Sequence, residues 1–432
     1  MRINTARAIQ RAIILCAWFL PIILNAQQTG ADTLHLSIPK AEEIFLQKNL
    51  SLLSAQYNID INKALVQQAK LWDNPVLNTD QNIYDGKFFR HTTENGQYYG
   101  QVYIQVQQLI RTAGKIKKQT QLAQDNVKTS EEQFNDVMRN LRFVLTTDMN
   151  NLAQLQTIAA VYTKEIQTMQ TLSGGMDAMF KLGDISQKEN MRIKALLFSL
   201  KADQADNLNQ QLEIQKEIGM MLQLNDNTWV SADANEPVDQ NTISRMNLPS
   251  LQDSALQLRP DLRQLKSQNI YDLHNINYQN ALAKPDLTVG TEYDRSNSYV
   301  PNYYGLTLSA PLPLFNRNKG NIAAAKLAYK QSGLLIEQAQ TQVNKDVITA
   351  WQKLGNATRL LSDAESPTKS DYDQLMQNML KTYQQRQISL IEFIDFFDSY
   401  KDTRIKEEQL IANQRNAAAE LNFTTNQVNI RL

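Results

Sequence analysis

Histidine and cysteine are nearly missing from this chain. Three histidines (His35, His91 and His274) and one cysteine (Cys16) are scattered over 432 residues. No two histidines stand four apart as on a zinc-binding helix, and a lone thiol forms no disulfide, so neither a metal site nor a disulfide framework is expected. Cys16 is followed by Ala17 and Trp18 rather than sitting at a small-residue lipidation site, so no lipid anchor is read. Charge of one sign is lacking too: 44 Lys and Arg face 44 Asp and Glu, whereas a nucleic-acid surface needs a basic excess. Glycine (14) and proline (11) are sparse, which leaves room for long unbroken helices. No apolar run of roughly 18 residues follows the N-terminal segment, so no membrane-spanning helix is expected. Asp371 with Asp373, and Glu42 with Glu43, read as solvated helix faces. Without a hydrolytic or redox constellation, the chain is expected to be no enzyme and to need no cofactor.

What is present begins with a leader. Residues 1–26 carry Arg2, Arg7 and Arg11, then an apolar stretch from Ala12 to Leu24, then Asn25-Ala26. That pattern is expected of a secretory signal peptide. Its removal takes Cys16 with it and leaves 41 basic against 44 acidic residues. An exported chain of this kind is periplasmic, secreted, or inserted in an outer membrane as a barrel.

The remainder is written twice. Shifted by 210 positions, Leu46-Gln47, Leu52, Pro75 and Leu77 fall on Leu256-Gln257, Leu262, Pro285 and Leu287. Shifted by 205, Tyr98-Tyr99-Gly100 falls on Tyr303-Tyr304-Gly305; shifted by 203, Ile185-Ser186 and Glu189 fall on Ile388-Ser389 and Glu392. Two long copies make a duplicated helix-and-strand unit rather than a solenoid. The expected divisions are 27–222 (first copy), 223–249 (connector, with a short strand near Thr228–Ser231) and 250–432 (second copy), with residues 27–38 as an extended lead-in.

From Gly114 to about Lys181 apolar residues recur at steps of three and four, including Met138, Leu141, Leu145, Met149, Leu152 and Leu155. This predicts a helix of roughly 100 Å. The second copy repeats the pattern from Gly320 to about Tyr383, interrupted at Pro367. Return helices follow, to about Leu222 and Asn429, each started by a Ser with Glu three residues on (Ser186 and Glu189; Ser389 and Glu392), the spacing of a capping box. Ahead of each hairpin lie period-two segments: Val76–Tyr84, Val102–Gln107, Leu287–Asp294 and Gly305–Ala310. One face is apolar and the other small or polar, as a barrel strand between lipid and water requires, and tyrosines crowd their ends. A soluble two-sided sheet is the alternative reading.

Four strands cannot close a barrel, and open edges are not tolerated in lipid. Several chains must therefore contribute, two giving eight strands and three giving twelve. Arg259-Pro260-Asp261-Leu262, Pro285-Asp286-Leu287 and the run from Pro311-Leu312-Pro313-Leu314-Phe315 through Asn316-Arg317-Asn318-Lys319-Gly320 resemble the TolC family of outer-membrane efflux channels, most of all its CzcC and CusC heavy-metal branch. The resemblance implies an α+β membrane protein: a homotrimer with a 12-stranded outer-membrane β-barrel, a long α-helical periplasmic barrel and an internal two-fold repeat. It also implies partners, a periplasmic adaptor and an inner-membrane transporter of the resistance-nodulation-division (RND) class, alongside outer-membrane lipid.

In such channels an acidic constriction closes the periplasmic end. Glu392 and Asp395 lie at that place, with Arg192 at the equivalent turn of the first copy and Tyr383 beside them; together they are the gate candidates, although Glu392 also reads as a plain helix cap. Leu182, Gly183, Asp184, Ile185 and Ser186, with Arg386, Gln387, Ile388 and Ser389, form the exposed turns expected to meet the adaptor, or else ordinary helix ends. Met176, Met179, Met376 and Met379 read first as packing and second as a thioether path for Cu(I). Heavy-metal cations are the expected cargo. Organic drugs or a type I exported protein are the alternative, and a periplasmic coiled-coil scaffold is the alternative of another class.

Overall fold

A computed structural model describes residues 32–432 except positions 85, 90–92, 95–96, 99, 298–299 and 364–368. Residues 1–31, Cys16 and the expected leader among them, and also His91 and Pro367, lie outside the described residues. The chain runs β1 (Asp32–Leu36), α1 (Ile38–Lys48), α2 (Leu50–Ala69), β2 (Val76–Gln81), β3 (Thr93–Glu94), β4 (Gln97–Tyr98), β5 (Val102–Ile110), α3 (Lys115–Leu182), α4 (Gln187–Leu222) and β6 (Thr228–Ala232). It continues through α5 (Gln240–Ser244), α6 (Leu248–Leu258), α7 (Pro260–Leu282), β7 (Leu287–Asp294), β8 (Tyr303–Ser309), α8 (Lys319–Asp363), α9 (Lys369–Gln384) and α10 (Leu390–Thr425).

The strands β2, β5, β7 and β8 form one antiparallel sheet in that order. They are 6, 9, 8 and 7 residues long, so β5 alone reaches the roughly 9 to 11 of a membrane-crossing strand. The β7–β8 ladder ends early because a turn closes it, with the Asn302 N–H on the Arg295 carbonyl at 3.2 Å and Asn302 at φ 59°. All four strands join their helices at the same end of the sheet: α2 enters β2, β5 leaves into α3, α7 enters β7 and β8 leaves into α8.

Charge pairs lock that end. Arg111 grips Asp73 with two hydrogen bonds of 2.7 and 2.8 Å. Asp286 accepts the Thr112 N–H at 2.8 Å and pairs with the buried Lys115 ammonium at 2.7 Å. A second knot ties α7 to α3 and α8: Arg259 bonds Asp261 at 2.6 Å and Asp346 at 2.8 Å, while Arg139 of α3 pairs with Asp261 at 3.4 Å and lies 4.3 Å from the Phe423 ring centre. The run Arg259-Pro260-Asp261-Leu262 thus has a physical reading. Pro260 starts α7 without missing a donor, and its two charged neighbours fasten it.

α3 is one uninterrupted helix of 68 residues, ~100 Å at 1.5 Å per residue. In the second half α8 has 45 residues and α9 has 16, ~68 and ~24 Å, and the interruption expected at Pro367 falls on positions 364–368, outside the described residues. α4 and α10 return with 36 residues each. The helices leaving the sheet pack side by side as α2–α3–α7–α8. Below them β1 and β6 pair in parallel, Leu34 opposite Val230, so the lead-in and the 228–232 strand meet.

Three apolar cores string along this rod. One joins α6, α7, α8 and α10 through Leu251, Leu262, Val347 and Leu421. A second joins α1, α3, α4 and β6 through Phe45, Met149, Ile218 and Val230. A third sits by the tips, around Met169, Met176, Ile193, Phe393 and Phe397; each fully buried phenylalanine there contributes about 2–3 kcal/mol.

Candidate functional site

Two places carry chemistry that the packing does not need: the sheet and the helix tips. Pleating sends alternate residues of each strand to opposite faces. On one face Leu77, Ile104, Val106, Leu306 and Leu308 are all exposed, Leu306 to 81%. On the other the register aligns Asn78, Gln105, Glu292 and Gly305 in one row, and Gln107, Gly290 and Thr307 in the next. Glu292 is the hub: its carboxylate accepts from the Tyr103 hydroxyl at 2.9 Å and from Gln105 Nε2 at 3.0 Å. Gln105 in turn accepts from Gln107 at 2.7 Å and Asn78 at 3.3 Å. Glycine makes this possible. A Cβ on Gly290 would stand 2.6 Å from Thr307 Oγ1 and 2.9 Å from the Val106 carbonyl. One on Gly305 would stand 2.6 Å from the Tyr303 ring. The sheet therefore has one apolar face and one cross-linked polar face, and among the described residues its two outermost strands, β2 and β8, each leave one edge unpaired.

At the far end, α3 stops in a Schellman motif. The Asp184 N–H bonds the Met179 carbonyl at 2.9 Å and the Gly183 N–H bonds Phe180 at 3.0 Å, with Gly183 at φ 80°. α9 stops in the same way: Gln387 on Thr382 at 3.0 Å and Arg386 on Tyr383 at 2.9 Å. There Arg386, not glycine, holds the left-handed position at φ 59°. Both return helices open with complete capping boxes, Ser186 with Glu189 and Ser389 with Glu392. The two tips flank a cleft of about 410 Å³ lined by Met176, Met179, Ile185, Tyr383 and Ile388, with Glu189 and Arg386 also in its wall.

The residues expected at a gate divide. Tyr383 turns inward: its ring stacks 5.1 Å from Phe393 and its hydroxyl donates to Met176 Sδ at 3.2 Å. Burial, and then the Glu189 charge, push its phenol pKa up. Glu392 is occupied by its cap, Oε2 accepting the Ser389 N–H at 2.7 Å, which draws its pKa down. The Ser186 N–H and hydroxyl do the same for Glu189, with help from Arg386 across the cleft. Asp395 and Arg192 are exposed, and among the described residues no ion pair joins them. The turn residues Leu182 to Asp184 and Arg386 to Gln387 are exposed, Leu182 to 78%. Ile185 and Ile388 pack against the tip core. Met176 and Met376 are buried in that core. His274 bridges α7 to Asp125 of α3 at 2.6 Å, and His35 lies in β1.

Sequence reasoning missed three features. Lys401 of α10 sits 3.6 to 4.0 Å from Asp402, Asp398 and Asp203, gathering carboxylates of α4 and α10 above the tips; the spacing Asp395, Asp398, Asp402 was the available signal. Burial and neighbouring carboxylates raise the Asp398 pKa. Asp148 lies buried in α3 with Oδ2 unpartnered, and desolvation, with Glu217 nearby, lifts its pKa to about 7. The Gly290 and Gly305 close approaches had no pattern to announce them.

Against this geometry, residues 251–427 match a family model described as Outer membrane efflux protein. No curated protein matches the chain. Among solved structures, the Campylobacter jejuni CmeC outer membrane channel is similar with a TM-score of 0.75 at 12% identity, over 90% of this chain and 85% of that one. CusC, solved in a study of folding and transmembrane channel formation, is similar at 0.71 and 17%, over 90% and 91%. VceC from Vibrio cholerae is similar at 0.69 and 14%, over 90% and 96%. The fold is that of outer-membrane channels with a large periplasmic helical part.

Proposed function

We propose that the chain is an outer-membrane efflux channel, a passive conduit in a tripartite pump. The observation that carries this reading is the sheet. One exposed face is apolar, the other is a hydrogen-bonded polar wall, both edges are open, and the strands run directly into helices of up to 68 residues. Three chains bring twelve strands, whose closure removes every edge, and the helices continue the wall as a periplasmic tube. Residues 1–26 direct export. The duplicated unit occupies 27–222 and 250–432, joined by the connector 223–249. In this reading the outward face meets lipid, the tips Leu182–Ser186 and Arg386–Ser389 meet a periplasmic adaptor, and an RND transporter of the inner membrane drives cargo. The chain itself catalyses nothing.

Glu392, Asp395, Arg192 and Tyr383 are the proposed closing elements. Tyr383 holds the two hairpins of one chain together, and the exposed Asp395 and Arg192 face neighbours around the ring. Heavy-metal cations are the proposed cargo, because the Pro311–Gly320 junction resembles the metal-efflux branch. The test has two parts. Carbonate and urea should leave the protein in outer membranes as a heat-modifiable trimer, whereas a coiled-coil scaffold would wash off. A deletion strain should become sensitive to copper, silver, zinc or cobalt; sensitivity confined to detergents and drugs reassigns the cargo and keeps the channel.

A further inference from the structure

A cleft of about 430 Å³ opens where α1, α3 and the end of α10 meet. Neither the sheet nor the tips share it. Its floor is aromatic, with the Phe143 and Phe423 rings stacked at 4.7 Å between centres, and Ile38, Val428 and Ile430 complete an apolar wall. The tail that follows α10 is folded back by Asn422: its side-chain oxygen accepts the N–H groups of Asn429 and Ile430 at 2.8 and 3.0 Å, and its amide donates to the Ile430 carbonyl at 2.6 Å. That clamp sets Arg431 into the cleft wall. Arg142, in the wall opposite, stands 27 residues past Lys115, ~40 Å along α3 from the sheet. Lipid around the strands does not reach it.

The charge of the cleft is one-sided. Three guanidiniums line it, those of Arg139, Arg142 and Arg431, against one side-chain carboxylate, that of Glu42. Arg139 is occupied, paired with Asp136 at 2.7 Å and Asp261 at 3.4 Å and lying over the Phe423 ring. Arg142 is not. Its Nε stands 2.5 Å from Glu42 Oε1, yet that N–H is buried and makes no hydrogen bond, so Glu42 answers the charge and leaves the donors open. Among the described residues Arg431 has no ion pair or hydrogen-bond partner for its side chain.

We propose that this cleft binds an organic anion, a single carboxylate on an aromatic or short aliphatic body. The carboxylate takes the forked donors of Arg142, with Arg431 closing from the tail, and the body lies on the Phe143 and Phe423 floor. The volume falls within the roughly 300–1,000 Å³ of small-molecule sites, which likewise combine an apolar lining with a few placed polar groups. An inorganic anion would leave the aromatic floor wet, a neutral body would leave the guanidiniums unanswered, and a cation would meet charge of its own sign. The site lies within one chain, so it goes beyond the channel reading and does not depend on it.

The test is calorimetric titration of the purified protein in lipid nanodiscs, with empty nanodiscs as the blank. The probes are 4-phenylbutyrate, decanoate and the uncharged 4-phenylbutan-1-ol. At least one of the two carboxylates should bind saturably, once per chain, and the alcohol should bind weaker than 4-phenylbutyrate by about tenfold or more, as the loss of a charge-assisted hydrogen bond implies. Arg142→Gln and Arg431→Gln should each weaken carboxylate binding by about tenfold. Glu42→Gln, which removes the competing carboxylate, should tighten it, a gain that a merely structural role for Glu42 would not give and that holds the proposal to account where an arginine variant folds poorly. No saturable binding of either carboxylate overturns the site. So does an alcohol that binds as well as 4-phenylbutyrate, carboxylate binding unchanged in folded Arg142→Gln and Arg431→Gln, or weaker binding in Glu42→Gln.

Discussion

Arg386 should be the weakest backbone position at the tips, and replacing it with glycine should tighten them. It occupies the left-handed site of a Schellman motif at φ 59°, where the first hairpin has Gly183 at φ 80°. For a residue with a Cβ that conformation costs about 1–2 kcal/mol, offset in part by the extra chain entropy glycine loses. Arg386→Gly should therefore stabilise the local motif by about 1 kcal/mol, and Gly183→Ala should cost about the same. No atom lies within 4 Å of a Cβ built on Gly183, so the backbone alone decides that second value. Amide hydrogen exchange reads both effects. The N–H groups of Gln387 and Asp184 are bonded at 3.0 and 2.9 Å, and about 1 kcal/mol changes their protection roughly fivefold. Gln387 should slow in Arg386→Gly, and Asp184 should quicken in Gly183→Ala. Arg386→Lys keeps the strain and the charge and should change neither. The reasoning is refuted if Gln387 exchanges as fast or faster in Arg386→Gly, or if Arg386→Lys imitates it, since charge rather than backbone would then control the turn.

Ser186→Ala and Ser389→Ala each remove a cap and should cost about 1 kcal/mol, seen as faster exchange in the first turns of α4 and α10 only. Gly290→Ala drives a Cβ to 2.9 Å from the Val106 carbonyl and should cost about 1–3 kcal/mol, read as loss of the heat-modifiable band; normal assembly would show that the sheet yields more easily than this contact implies. Asp148 has a folded-state pKa of about 7 against the 3.8 of an ordinary aspartate. The folded chain holds that proton over the interval between them, so stability is full below about pH 4, falls as pH rises through 7, and is flat above. Asp148→Asn, which stays neutral, should gain about 1–3 kcal/mol over the parent at pH 8 and little at pH 4, a difference that melts at the two pH values would show.

Local rules carried much of the fold into the sequence. Gly183 and the Ser-x-x-Glu spacings placed the hairpin ends within a residue or two, because caps are short-range. Period-two alternation located Val102–Ile110 and Leu287–Asp294. It served Val76–Gln81 poorly, since Asn78, Thr79 and Asp80 leave that strand little apolar contrast. The tips were harder. Nothing local says that Tyr383 turns inward onto Phe393, or that Arg386 faces Glu189, because both depend on how two hairpins distant in sequence lie together. Asp148 was illegible for the same reason: its burial comes from α4.

α3 is a single hydrogen-bonded rod from tip to sheet. A push at Leu182 therefore arrives at Lys115 with almost no give, so whatever bears on that turn is felt where β5 ends.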